Sequence, residues 1–105
     1  MRTIAALLLV LGATQPSLAE DWRDRAIPIV KSEPKVVDAM FSQRKSLWVS
    51  VRDDGSRRDS FADYICLTLS DAEMPTGESV IITIWDAAAM AREEMKELGK
   101  SSCSK

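Results

Sequence analysis

The chain has 105 residues, a formal net charge of −2 and no histidine. That length bounds it to a single domain. The mildly acidic balance excludes general affinity for nucleic acid or anionic lipid, which needs a basic face. Without histidine there is no Ser-His-Asp or Cys-His nucleophilic site, and without asparagine there is no N-x-[ST] glycosylation acceptor.

The first 19 residues read as a secretory signal peptide. Arg2 gives the positive start, Ile4 to Leu11 the apolar stretch, and Ser17-Leu18-Ala19 the small residues of a cleavage site. The apolar run is eight residues long, whereas a membrane-spanning helix needs about 20, so no membrane span is expected. Cleavage after Ala19 leaves 86 residues (20–105) as one small globular domain with a net charge of −3. The style of the signal points to a periplasmic location, with secretion into the medium as the alternative.

Glu20 to Arg25 is charged and reads as a loosely held terminus, with Trp22 near its frayed start. Ala26 to Val30 is β-branched and reads as a short strand, restricted to a sheet edge by Pro28. Ser32-Glu33-Pro34 is a helix-start signal, and Val36, Val37, Met40 and Phe41 follow at helical spacing, which predicts a helix over 34–44. Leu47 to Val51 alternates as a strand, with Trp48 opposite its leucine–valine face. Arg52 to Asp59 contains Asp-Gly and no apolar residue, so it is a loop.

From Phe61 to Ala72 the apolar positions match the helical template, with Asp59 or Ser60 as cap. Met74 to Glu78 is a loop by its Pro and Gly. Val80 to Trp85 is nearly all apolar, as in a strand covered on both faces. Asp86 then caps a predicted helix running through Leu98, with Gly99 as its stop. The alternation predicts an α/β domain: a small two- or three-stranded sheet, parallel by preference, packed by about three helices, with an α+β arrangement as the alternative.

The mature chain has two cysteines, Cys66 and Cys103. In an oxidising compartment both are expected in one disulfide. That leaves neither for zinc, and no cofactor or metal is expected.

Carboxylates gather at Asp53, Asp54, Asp59 and Asp63, but Arg52, Arg57 and Arg58 sit among them. The set reads as an ion-paired, solvated loop rather than a cation site or a glycosidase pair. The Ser-x-x-Lys spacings at Ser32, Ser42 and Ser102 lack the companion motifs of serine–lysine enzymes. Arg92, Lys96 and Lys100 form a basic row on the predicted last helix, a solvated face.

The best candidate site is the loop after the Leu47–Val51 strand. Ligands of open α/β sheets gather at the carboxyl ends of strands, and Arg57 and Arg58 lie where the next helix begins. In a parallel sheet Asp86 shares that edge. Arg52, Arg57, Arg58 and Asp86 are therefore the expected residues for a small anionic ligand, and Trp48 for a partner surface. The expectation is an exported, non-catalytic binding or interaction module for an envelope protein or a small anion. The alternatives are a small enzyme or enzyme accessory built on carboxylates and arginines, and a homodimer paired across a sheet edge.

Overall fold

The charged stretch Asp21 to Arg25 is the start of a helix. Asp21 accepts a hydrogen bond from the Arg23 amide at 3.2 Å, and Asp24 accepts one from the Asp21 amide at 3.5 Å, forming a capping box. Helix α1 (Trp22–Lys31) follows, with Trp22, Ala26 and Val30 on its buried side. These positions are four apart, so one face of the helix reaches the core. The strand expected over 26–30 is thus helical, and Trp22 is a core residue. Pro28 is tolerated on the solvent side.

A computed structural model describes residues 21–105; the expected signal peptide lies outside the described residues. After α1 come β1 (Val36–Gln43), β2 (Ser46–Val51), α2 (Asp59–Asp71), β3 (Ser79–Asp86), α3 (Ala87–Ala91) and β4 (Glu97–Ser104). They form a four-stranded sheet in the order β1-β2-β3-β4. The outer pairs are antiparallel and the central pair, β2 with β3, is parallel. The architecture is mixed α+β, with four strands rather than two or three.

One expected helix is a strand and another ends early, each for a physical reason. The segment 34–44 has β-branched Val36 and Val37, and its true period is two: Ala39 and Phe41 face the core, while Asp38 and Met40 face away. A short turn at Arg44 and Lys45 folds β1 onto β2 as a hairpin. The last predicted helix begins as expected, with Asp86 accepting from the Ala88 amide at 3.1 Å, but it ends at Ala91. Glu93 takes a left-handed conformation (φ 63°), which breaks the helix, and the chain re-enters the sheet as β4.

Helices α1 and α2 cover one face of the sheet. Their Ala26, Val30, Ala62, Ile65 and Leu69 meet Leu47, Val49 and Val51 from β2 and Val80, Ile82 and Ile84 from β3, all fully buried. Each such large apolar side chain contributes about 1.5–3 kcal/mol. The Cys66–Cys103 disulfide, with its Cα atoms 5.4 Å apart, ties α2 to β4. No helix among the described residues is long and apolar enough to cross a membrane.

Candidate functional site

Among the described residues, the sheet's second face has no helical layer. Alternation sends Met40, Trp48 and Thr83 to this side as one cross-strand row, with Ser50 and Trp85 in the next. The rings of Trp48 and Trp85 meet edge to face, with centroids 5.4 Å apart and planes at 71°. Trp85 Nε1 is enclosed without an acceptor among the described residues. On the same face Met40 is 50% and Ile81 38% exposed, and Val37 beside the groove is 57% exposed.

Only the short α3 flanks this face. Its Ala87, Met90 and Ala91 form one wall of a groove of about 290 Å³; Val37, Asp38, Ala39, Met40, Trp48 and Ser50 form the rest. The sequence placed Trp48 correctly on the side away from the core. It did not reveal Met40 as a neighbour, because Met40 had been assigned to a helix.

The arginine-rich loop is dispersed by the fold. Register pairs Val51 with Asp86, so Arg52 and Asp86 leave the sheet at one edge, as a parallel pair requires. Asp86 then turns away: it is buried and holds the Ala88 amide as the cap of α3. Arg57 is exposed and engages Asp59 through two contacts, 2.9 and 3.1 Å. That pairing holds the Asp59 carboxyl below the usual carboxylate range and raises the Arg57 guanidinium.

Arg58 behaves differently, with only 9% of its side chain exposed. Its Nη2 donates to the Arg52 carbonyl at 2.9 Å and lies 3.5 Å from Asp54, while its Nε is enclosed with no partner. Arg52 and Arg58 therefore share a pocket of about 310 Å³ with Pro34, Lys35, Val37 and Asp54. Arg57 lines a separate shallow pocket with Asp53, Lys96 and Glu97. Of the expected anion residues, only Arg52 and Arg58 converge, and Lys35 joins them from the α1–β1 turn.

Compared with known proteins, the chain matches no family model, no curated protein and no solved structure.

The remaining charged groups are committed to the scaffold. Asp53 takes a 2.9 Å contact from Lys96, the main cause of its lowered pKa and of the raised pKa of Lys96. Asp54 is held by the Ser56 hydroxyl and amide at 2.6 and 3.0 Å. Asp63 accepts from the Ser101 hydroxyl. Lys96 and Lys100 do not share a helical row with Arg92, since β4 begins at Glu97. No group of three or more metal-ligating side chains occurs among the described residues.

Sequence reasoning missed Arg23. It is 7% exposed and forks three ways: Nε to the Arg44 carbonyl at 2.7 Å, Nη1 to Asp21 at 3.0 Å, and Nη2 to Glu78 at 3.2 Å. Its guanidinium carbon sits 4.9 Å above the Trp22 ring. With every nitrogen engaged, Arg23 is a clamp between α1, the β1–β2 turn and the start of β3. The four-residue spacing of Trp22, Ala26 and Val30 was the signal that could have placed it.

Proposed function

We propose that the mature domain is a non-catalytic interaction module of an oxidising, extracytoplasmic compartment, which binds a protein partner on the open face of its sheet. The observation that carries this reading is the Trp48–Trp85 pair on a sheet face that also carries exposed Met40 and Ile81, with exposed Val37 lining the groove beside Trp48. Aromatic and methionine side chains set in a rigid sheet are the usual anchors of protein interfaces. The arginine and carboxylate side chains that an enzyme of this composition would use are mostly paired with one another, which favours a scaffold role. The Cys66–Cys103 disulfide fits the oxidising compartment.

The test uses a photo-cross-linking residue at Met40, with a second at Leu67 as control. Leu67 is 64% exposed on α2, away from the open face. In envelope extract, the oxidised domain is expected to form a discrete adduct from Met40 and none from Leu67. Ile81→Asp, which leaves the core untouched, is expected to abolish that adduct. Equal labelling from both positions, or an adduct indifferent to Ile81→Asp, would sink the reading.

A further inference from the structure

The pocket of Lys35, Arg52 and Arg58 holds three cationic side chains against one carboxylate, Asp54. That carboxylate is a poor partner for Arg58: it lies 3.5 Å away, and its shorter bonds go to Ser56. Arg57 and Arg23, by contrast, each engage a carboxylate through two nitrogen–oxygen contacts. Lys35 and Arg52 have no side-chain ion pair among the described residues. Arg58 is nevertheless buried, with its Nε unsatisfied, and an unmet charged donor in such a place is costly.

The pocket is not isolated. Val37 lines both it and the groove of Met40, Trp48 and Met90, whose one lining carboxylate, Asp38, is paired with Lys31 at 3.4 Å. An occupant can therefore place an anion among the cations and an adjoining apolar group in the groove. The flat fork of an arginine matches a carboxylate, which it can grip through two parallel hydrogen bonds.

We infer that the Lys35–Arg52–Arg58 pocket receives the carboxyl terminus of a partner polypeptide, whose last side chain is apolar and lies in the groove beyond Val37. This rests on the open-face reading and adds to it the chemistry of the bound segment.

The experiment is a titration of the isotope-labelled, oxidised domain, followed by NMR. The probes are acetyl-Val-Leu-Phe with a free carboxylate, the same tripeptide as its carboxamide, octanoate and acetate. The free acid is expected to shift the amides of Lys35, Val37, Arg58 and Met90, and to bind about tenfold more tightly than the carboxamide, the worth of one charge-assisted contact. Binding should weaken with salt. Lys35→Gln and Arg52→Gln, both at exposed positions, are expected to reduce it without loss of fold, and Arg58→Gln to reduce it most. Equal binding of acid and carboxamide would overturn the proposal, as would shifts elsewhere. Octanoate or acetate binding as tightly as the tripeptide acid would overturn the polypeptide source. A discrete Met40 adduct with no response to the tripeptide would reject this site while leaving the interaction module standing.

Discussion

At the scale of single residues, Gly99 and Arg23 set limits that composition does not show. A Cβ on Gly99 would fall 2.3 Å from the Arg58 backbone carbon, so β4 can approach the start of α2 only without a side chain there. Gly99→Ala is expected to cost about 3 kcal/mol or more by overpacking, read as a lower urea midpoint at unchanged slope. Arg23→Lys is expected to cost about 2–3 kcal/mol, since an ammonium cannot fork to Arg44, Asp21 and Glu78 together; thermal unfolding would show it. Gly99 was legible as a punctuating glycine, but its reason was not: it stops no helix and instead admits a neighbouring backbone. Trp48 was legible because alternation alone decides which side of a strand a residue takes.

At the scale of elements, the sequence spoke clearly where period and length agreed, and misled where a short segment satisfied both periods. β2, α2 and β3 were each readable: the strands from β-branched runs, the helix from apolar spacing over 13 residues. β1 fits the helical template at Val36, Val37, Met40 and Phe41, and only its pairing with β2 selects the strand. β4 (ELGKSSCS) has almost no strand propensity of its own. It is held by β3 along one side and by α2 along the other, with the disulfide as the covalent part of that hold. Removing the bridge with Cys66→Ser and Cys103→Ser is expected to cost about 3–4 kcal/mol by the chain-entropy estimate. Because β4 has little intrinsic preference for its place, hydrogen exchange in the variant should rise first over 97–104. Uniform protection there would contradict this account.

For the whole molecule, charge pairing makes stability depend on pH at both ends. The Asp53 carboxyl is lowered chiefly by the hydrogen bond from Lys96, and that of Asp59 by the one from Arg57. A carboxyl lowered by folding contributes fully above its unfolded pKa, near 4, and loses that contribution as pH falls through the folded value. Lys96 is raised, so its contribution is present below about 10.4 and is lost as pH climbs past the folded value. The melting temperature is expected to be level between about pH 5 and 9 and to fall on either side. Asp53→Asn should flatten both limbs, because it removes the partner that shifts Lys96. An acid limb unchanged in Asp53→Asn, Asp59→Asn would exclude these pairs as its cause.

The two margins of the sheet are unequal. Along β4, the Arg58 amide donates to the Leu98 carbonyl at 2.8 Å and the Lys100 amide donates to Asp59 at 2.9 Å. Two of the outermost ladder groups there are thus already engaged. Among the described residues β1 has no such cover; two register shifts and the charged Asp38, which accepts from the Ala39 amide at 2.9 Å, are its deterrents. Copies of this chain joined by strand addition would meet β1 to β1 before using the partly engaged margin of β4. Strand addition through β1 would thus favour a pair over a fibril, and sedimentation of a concentrated solution of the folded protein tests for it.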